Sequence, residues 1–234
     1  QIICTGTTNA IIDGAGAHRP LTMVEGSDLT ISKLTIQNGF VNNDNGGGIY
    51  NSNSDNLNIS SSTISGNITN GKGGGMYHRG NLTIQASSIT LNSATTDQGG
   101  GLYLILSSSS AINIINTTIS SNETSTAAGG GIYARSIGGG NTLTLQHVTM
   151  SDNIGNGGAA TGDGFVNSGG TGITLQNTII ANSGGAGDDF SLGGGTLTLV
   201  TASIVEDGTM TGATSGDPLL GALTLNSGFL VHPL

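Results

Sequence analysis

The chain has 234 residues, of which 8% are charged and 42 are glycine, and its formal net charge is −9. Only five residues are basic: Arg19, Lys33, Lys72, Arg79 and Arg135. A nucleic-acid partner or an anionic membrane surface requires clustered Lys and Arg, which this composition does not supply. No run of 18 apolar residues occurs, so we predict no membrane span as well as no nucleic-acid partner.

The chain begins with Gln1 and shows no signal peptide. We therefore expect it to be a processed or excised piece of a longer protein. Its single cysteine, Cys4, has no partner for an internal disulfide. We interpret Cys4 as a small core residue or an incidental end residue rather than a nucleophile.

A twelve-residue motif recurs along the chain at 28–39, 56–67, 81–92, 111–122, 142–153, 172–183 and 196–207. In it, large apolar residues fall two apart and then five further on, as at Leu57, Ile59 and Ile64. A period of two is typical of strands, whose alternate side chains share a face, and the helical spacings of three and four are missing. Each copy therefore predicts two short strands with a bend between them.

A second motif interleaves with the first and holds every tyrosine of the chain. Its copies are "GGGIY" (46–50), "GGGMY" (73–77), "GGGLY" (99–103) and "GGGIY" (129–133), which predict a glycine turn followed by a third strand. The steps between coils vary while the motifs stay constant, as expected for loops of different length on one scaffold. We predict an all-β parallel β-helix of about seven to eight coils, forming a single domain over 1–234.

These blocks carry a resemblance to a known family. The patterns "L-T-I-x-x-x-T-I-S-x-N" and "G-G-G-I-Y" resemble those of right-handed parallel β-helix proteins of the pectin-lyase-like superfamily, especially repeat-rich bacterial surface and secreted proteins. The ending "GDPLLGALTLNSGFLVHPL" resembles the last part of domains with a choice-of-anchor sorting region. The resemblance implies an extracellular location and either adhesion, structure or polysaccharide cleavage, because one fold hosts many functions.

The tyrosines are the first candidate binding site. If the fourth residue of each "GGGIY" copy points inward, then Tyr50, Tyr77, Tyr103 and Tyr133 point outward and form an exposed ladder. Such a ladder would cradle sugar rings or contact a neighbouring molecule, so we expect a surface glycan or other copies of the chain as partners. The alternative is a purely structural stack beside a glycine turn.

Three acidic residues form the candidate metal site. The segments "GDGFV" (162–166) and "GDDFS" (187–191) align with "GGGIY", which places Asp163 and Asp188 on adjacent coils with Asp189 beside them. Carboxylates about 4.8 Å apart repel each other unless a cation or a proton lies between them. Two interpretations stay open: a Ca²⁺ ion held by these residues, which is the one cofactor we consider, or an exposed turn pair with raised pKa values.

Other polar patterns have alternative readings. Asp44, Lys72 and Asp97 stand just before glycine triplets, as a lyase-like cluster or a charge-balanced edge, while His78 is expected at the surface. Ser and Thr on the second strand of each motif form a regular hydroxyl face that resembles the surface of ice-binding proteins. One column of asparagines follows that strand and predicts a turn ladder: Asn67, Asn92, Asn122 and Asn153.

Taken together, the sequence predicts an extracellular structural or adhesive module that assembles into filaments through open solenoid ends. The alternative is a polysaccharide lyase or hydrolase, for which at least three acids and a base should converge on one groove. Ice binding is a lesser alternative.

Overall fold

The computed structural model describes residues 1–6, 8–157, 162–185, 187–208, 212–220, 224–226 and 229–231. These residues form strands and no helix, and therefore no helix capable of crossing a membrane. The first strands are β1 (Ile2–Ile3), β2 (Ala10–Asp13), β3 (Leu21–Thr22), β4 (Leu29–Ser32), β5 (Leu34–Gln37), β6 (Phe40–Val41), β7 (Ile49–Asn51), β8 (Leu57–Ser60), β9 (Thr63–Ser65), β10 (Ile68–Thr69), β11 (Met76–Arg79), β12 (Leu82–Gln85), β13 (Ser88–Thr90), β14 (Ser93–Ala94), β15 (Leu102–Leu106) and β16 (Ala111–Ile115). The remaining strands are β17 (Thr118–Ser120), β18 (Glu123–Thr124), β19 (Ile132–Ser136), β20 (Thr142–Gln146), β21 (Thr149–Ser151), β22 (Ile154–Gly155), β23 (Gly162–Ser168), β24 (Gly172–Gln176), β25 (Ile179–Ala181), β26 (Gly184–Gly185), β27 (Asp188–Ser191), β28 (Thr196–Thr201), β29 (Ile204–Val205), β30 (Thr224–Asn226) and β31 (Phe229–Val231).

The strands stack into four parallel sheets that run along one axis. Sheet 1 is β1-β4-β8-β12-β16-β20-β24-β28, and sheet 2 is β2-β5-β9-β13-β17-β21-β25-β29. Sheet 3 is β6-β10-β14-β18-β22-β26, and sheet 4 is β3-β7-β11-β15-β19-β23-β27. The chain visits the sheets in that order once per coil, which confirms the all-β parallel solenoid with about seven turns. The prediction of three strands per coil was wrong, because the short strands of sheet 3 add a fourth.

The apolar columns of the sequence lie in register inside the solenoid. Leu57 pairs with Leu82, and Leu82 with Ile112, while the neighbouring column continues Ile59, Ile84 and Ile114. These side chains are buried and belong to one continuous hydrophobic core. A single coil has no second layer to cover its apolar face, so the stacking of coils forms the core.

Two sharp bends per coil use the left-handed backbone conformation. Between sheets 1 and 2, residues of every coil have φ between 45° and 55°: Lys33, Ser61, Ala86, Asn116, His147, Asn177 and Ala202. Between sheets 2 and 3, φ lies between 51° and 63° at Asn38, Gly66, Leu91, Ser121, Asp152 and Asn182. This conformation costs about 1–2 kcal/mol for a residue with a Cβ. At Lys33, Ala86 and Leu91 the stacked strands on either side impose the bend, since these residue types do not favour it.

The asparagine ladder, formed by Asn67, Asn92, Asn122 and Asn153, is buried at the start of sheet 3. Asn67 Nδ2 donates to Asn92 Oδ1 at 2.9 Å, and Asn92 repeats the contact with Asn122 at 2.9 Å. Each oxygen also accepts a backbone N–H of the previous coil, as Asn92 Oδ1 does from Asn67 at 3.1 Å and Asn67 Oδ1 does from Gly39 at 2.8 Å. Each amide nitrogen also donates to a backbone carbonyl, for example Asn92 Nδ2 to Ile64 O at 3.0 Å. This confirms the predicted ladder and places it in the interior.

The glycine triplets pack against this ladder. Only the first glycine of each triplet has positive φ, as at Gly73 with φ 71°, so only that position is a turn residue. The third glycine is needed for close approach: a Cβ on Gly75 would lie 2.7 Å from Gly101 O and 3.0 Å from Asn92 Cγ. The triplet therefore makes one turn and lets two parts of the coil approach each other closely.

Part of the hydroxyl face of sheet 2 is not open to solvent. Ser88, Thr90, Ser120 and Ser151 are each at most 1% exposed. The backbone of β31, which pairs antiparallel with β30, lies against β13 in the middle of this sheet. The prediction of a flat, accessible Ser and Thr array was wrong at these positions.

Candidate functional site

The tyrosine ladder, consisting of Tyr50, Tyr77, Tyr103 and Tyr133, lies on the outer face of sheet 4 in strict register. Successive ring centroids are 5.4, 5.4 and 5.3 Å apart, and the interplanar angles are 21°, 3° and 1°. Strand spacing of about 4.8 Å brings equivalent side chains to this distance. The inward neighbours Ile49 and Met76 are fully buried, as the alternation predicts.

The ladder is less exposed than the sequence suggested. Tyr103 is only 1% exposed, while Tyr50, Tyr77 and Tyr133 are half-buried. The rings cover each other's faces, and the guanidinium carbon of Arg19 lies 4.8 Å from the centroid of the Tyr50 ring. The inner rings therefore have no free face on which a sugar could stack. A ligand would instead meet ring edges and phenol hydroxyl groups.

The phenols of Tyr77 and Tyr103 have raised pKa values and stay protonated at neutral pH. Burial raises the pKa of Tyr77, and the neighbouring tyrosines raise it further, while Arg79 and Arg135 act in the opposite direction. Burial also raises the pKa of Tyr103, partly offset by a hydrogen bond with the Arg135 side chain and the positive charge of Lys72. The exposed hydroxyl groups can therefore donate hydrogen bonds.

Of the four basic residues beside the ladder, Arg19 and Lys72 form ion pairs with aspartates, whereas Arg79 and Arg135 form none within the described residues. Lys72 lies 5.7 Å from the centroid of the Tyr103 ring and forms an ion pair with Asp97. Arg19 pairs with Asp44 at 2.5 Å. The lyase-like cluster suggested by Asp44, Lys72 and Asp97 is thus two separate ion pairs, which favours the charge-balanced edge.

The other two basic residues form what we call the arginine row, consisting of Arg79, Ile105 and Arg135. These three residues pair in register on β11, β15 and β19, two positions beyond the tyrosines and on the same outer face. Arg135 is exposed and Arg79 is half-buried. Within the described part of the chain, neither arginine forms an ion pair, and Arg79 Nε has no hydrogen-bond partner. Both arginines are evident in the sequence, but only the strand register shows that they occupy equivalent positions on β11 and β19.

The strand register at the predicted metal residues differs from the alignment of the motifs. A register shift in β23 pairs Gly162 with Asp188, so Asp163 does not stack on Asp188 as the alignment assumed. Asp188 is exposed, whereas Asp163 and Asp189 are buried. Among the described residues, no group of three or more His, Cys, Asp or Glu side chains is arranged to hold a metal ion. The register shift removes the stacked pair of Asp163 and Asp188 from which the Ca²⁺ interpretation was drawn, and the Ca²⁺ site itself stays a prediction.

Asp163 has unusual surroundings. Its Oδ2 accepts the N–H of Gly187 at 2.9 Å, and its Oδ1 is buried without a hydrogen-bond partner in the described residues. Burial raises the pKa of Asp163 to about 6; the Gly187 N–H lowers it, and the charges of Asp188 and Asp189 raise it. Below about pH 6, protonation of Asp163 relieves part of the repulsion that the sequence predicted at this position.

An acidic pocket of about 670 Å³ adjoins Asp189 in the last coils, and its described lining is Asp152, Asn182, Ser183, Gly187, Asp189, Glu206 and Asp207. Burial raises the pKa of Asp189, hydrogen bonds from Ser183 lower it, and the charges of Asp207 and Glu206 raise it. Asp189 Oδ1 accepts the Ser183 N–H at 2.9 Å, and its backbone N–H donates to Asp207 Oδ2 at 2.5 Å. At least three acids thus converge, but the described lining contains no Lys or Arg to act as a base.

His78 is not a surface residue, which corrects our prediction. It is fully buried: Nδ1 lies 3.2 Å from Asn51 Nδ2, and Nε2 lies 3.0 Å from Asn81 O. These contacts fit a neutral ring with its proton on Nε2, where it donates to the carbonyl. Burial lowers the pKa of His78 to about 4, so the ring is an uncharged core residue at neutral pH.

Comparisons with known proteins return no matching family model, no matching curated protein and no matching solved structure. The parallel solenoid rests on the structure itself. The likeness to the pectin-lyase-like superfamily and to choice-of-anchor domains stays a prediction from the motifs.

Proposed function

We propose that this chain is an extracellular structural or adhesive surface module without enzymatic activity, and that its tyrosine ladder contacts a surface glycan. The observation that carries the proposal is the ladder itself, four tyrosines at a constant repeat along one outer sheet face. A repeating row of phenols offers a linear polymer the same contact at each coil. The extracellular location and the kinship with pectin-lyase-like surface proteins belong to this proposal and rest on the sequence motifs.

A structural stack alone does not require hydroxyl groups. Inside the solenoid, Phe165 and Phe190 stack at a centroid distance of 4.9 Å without any polar atom. The ladder uses tyrosine at all four positions and leaves Tyr50, Tyr77 and Tyr133 partly exposed. Hydroxyl groups on a stacked surface supply directional hydrogen bonds with little loss of side-chain entropy, as tyrosines do in other binding surfaces.

The test is glycan binding by variants that keep the stack. Replacing Tyr50, Tyr77 and Tyr133 together with Phe removes three hydroxyl groups and leaves the rings in place. We expect the wild-type chain to bind at least one glycan of a surface panel. The triple variant should bind it about a hundredfold more weakly, since each of the three lost hydrogen bonds contributes about 1 kcal/mol. Thr83→Val, which removes a hydroxyl from the outer face of sheet 1, serves as the control and should bind normally. Absence of binding, or equal binding by the triple variant, would contradict the proposal.

A glycoside hydrolase is the second candidate, and the acidic pocket favours it. Hydrolysis uses one protonated carboxyl group as acid and a second carboxylate as base or nucleophile. Asp189, whose raised pKa favours its protonated form, lies beside Asp207 and Glu206 in the pocket. A lyase is less well supported, because no Lys or Arg belongs to the described lining. Release of reducing ends from a glycan that is abolished by Asp189→Asn would establish the hydrolase and overturn the non-enzymatic proposal, whereas formation of unsaturated uronate would identify a lyase.

Self-association is part of the first proposal. Unpaired strand edges present N–H and C=O groups that another copy can pair with, which would extend the solenoid into filaments. Light scattering across a range of protein concentrations measures this directly. A monomer at every concentration would remove filament assembly while leaving glycan contact untouched.

Ice binding loses its main support, because several hydroxyl groups of the face expected to meet ice are buried. Measurement of thermal hysteresis decides this alternative independently of the ladder.

A further inference from the structure

The distribution of positive charge singles out sheet 4. Of the five basic residues in the chain, Arg19, Lys72, Arg79 and Arg135 lie at or beside the tyrosine ladder, and Lys33 alone lies at a distant bend between sheets 1 and 2. The acids concentrate elsewhere, since Asp152, Asp189, Glu206 and Asp207 line the acidic pocket in the last coils. In a chain of net charge −9, the outer face of sheet 4 is therefore the surface best suited to an anion.

The arginine row carries positive charge that no acidic side chain neutralises within the described residues. Asp44 and Asp97 neutralise Arg19 and Lys72, while Arg79 and Arg135 form no ion pair within the described residues. Because two strand steps separate them, their backbones lie about 10 Å apart along the solenoid axis. Ile105 occupies the position between them.

The two arginines suit oxyanions in particular. A guanidinium presents a planar set of N–H donors that matches carboxylate or sulfate oxygens, and such charge-assisted hydrogen bonds are stronger than neutral ones. The neighbouring phenol of Tyr77 is half-buried, its pKa is raised by burial, and it can donate a hydrogen bond to the same ligand. Since the rings occupy each other's faces, ligand selection depends on hydrogen bonds and charge rather than on stacking with a sugar ring.

We propose that Arg79 and Arg135 make the outer face of sheet 4 selective for a linear anionic glycan, bearing carboxylate or sulfate groups, that lies along the solenoid axis and places successive anions on the two guanidinium groups. This inference rests on the proposed glycan contact at the tyrosine ladder. It adds that the glycan is anionic and that Arg79 and Arg135 recognise its charged groups. The rest of the chain repels polyanions, so the attraction is local and weakens with salt.

The experiment measures binding of the chain to three soluble polymers at low and at physiological ionic strength: alginate for carboxylate, dextran sulfate for sulfate, and unmodified dextran as the neutral reference. The double variant Arg79→Gln/Arg135→Gln is compared with Lys33→Gln, which removes an exposed positive charge elsewhere. We expect the double variant to lose tenfold or more in affinity for the charged polymer that the wild type prefers, and Lys33→Gln to stay within twofold. The preferred polymer identifies the oxyanion.

A gain-of-function variant complements this comparison. Ile105→Lys places a third positive charge between the two arginines and should tighten binding of the same polymer about threefold or more. Thermal unfolding of each variant verifies that the solenoid remains intact, and Arg135, which is exposed, is the substitution least able to disturb it.

Three outcomes would overturn the inference: binding of dextran as strong as that of the charged polymers, an equal loss of affinity with Lys33→Gln, or no binding of either anionic polymer at low salt. These outcomes differ from failure of the proposed function. If a neutral glycan binds and the tyrosine-to-phenylalanine variant abolishes that binding, the ladder remains a glycan contact and only its charge selectivity is wrong.

Discussion

The backbone of Gly75 lies against the side-chain amide of Asn92, at a place where a Cβ would come 3.0 Å from both Asn92 Cγ and Nδ2. The same relationship joins Gly101 to Asn122 in the next coil. The two repeated motifs of the sequence, the glycine triplet and the asparagine column, are thus two sides of one contact. A coil closes only because the third glycine leaves room for the ladder.

The first prediction tests this contact. Gly75→Ala adds a Cβ that also meets Gly101 O at 2.7 Å, and a backbone atom cannot yield as a flexible side chain does. We expect the free energy of unfolding to fall by about 1–3 kcal/mol, the usual cost of overpacking. Gly139→Ala is the control, since no atom lies within 4 Å of its Cβ. Chemical denaturation of both variants provides the measurement, and equal stability would refute the close-packing role.

The asparagine ladder should be more sensitive than any exposed asparagine. Asn122→Ala removes the acceptor of Asn92 N and Nδ2, and it also removes the donor to Ile89 O. Each buried group left unpaired costs about 1–3 kcal/mol. We expect a loss of about 3 kcal/mol or more in the free energy of unfolding, against less than about 1 kcal/mol for Asn58→Ala at an exposed position. A loss no larger than that of the control would show that the ladder contributes little.

The bend at Leu91 offers a stabilising substitution. Leu91 has φ 60° and is 56% exposed, while the equivalent bend residue in the preceding coil is Gly66. Leu91→Gly removes the steric cost of the left-handed conformation, so we expect a gain of about 1 kcal/mol in the free energy of unfolding. Leu91→Ala keeps the Cβ and should show no such gain. If both variants behave alike, the bend carries no strain.

The sequence predicted the elements whose pattern repeats. The register of Leu57 with Leu82, the tyrosine ladder and the asparagine ladder all follow from aligning motifs, because strand stacking places equivalent residues together. Sheet 3 was missed, since a two-residue strand such as Ile68–Thr69 is too short for any periodicity to reveal.

Two errors at the candidate sites have different origins. The burial of His78 was predictable, because it stands two residues after the inward Met76 on the same strand and so faces the same side. The register shift near Asp163 was not, because a bulge depends on local backbone geometry that the motif alignment cannot show.

His78 should make the protein sensitive to acid. Its pKa is about 6.5 when unfolded and about 4 when folded, so the neutral folded ring contributes stability above pH 6.5 that is lost as pH falls through 4. A difference of this size corresponds to about 3 kcal/mol. His78→Gln keeps both hydrogen bonds without the titration, and its free energy of unfolding should change less between pH 6.5 and 4. An unchanged slope in His78→Gln would contradict the assignment.

Asp163 should act in the opposite direction. Its folded pKa of about 6 exceeds the unfolded value of 3.8, so its stabilising contribution is complete below pH 3.8 and disappears as pH rises through 6. Relative to wild type, Asp163→Asn should therefore gain stability between pH 4 and pH 7, on the order of 1 kcal/mol after allowance for solvent screening. Thermal melts at the two pH values measure the difference, and a constant difference would contradict it.

The same two proteins test the calcium prediction at neutral pH. An ion bound at Asp163 would raise the melting temperature of the wild type when Ca²⁺ is added and leave that of Asp163→Asn unchanged. From the geometry, we expect no Ca²⁺-dependent rise in either protein.

The amides of the asparagine ladder all point the same way. Each oxygen accepts from the previous coil, and each nitrogen donates to the next asparagine as well as to a carbonyl of the previous coil. The C=O dipoles of the side chains therefore add along the axis instead of cancelling. After Asn153 the column passes to Ser183, whose N–H is accepted by the carboxylate of Asp189 in place of another amide. The asparagine ladder thus has a net dipole along the solenoid axis, and Asp189 lies at its positive end. A charged molecule that approaches along the axis therefore encounters a different electrostatic potential at each end of the solenoid.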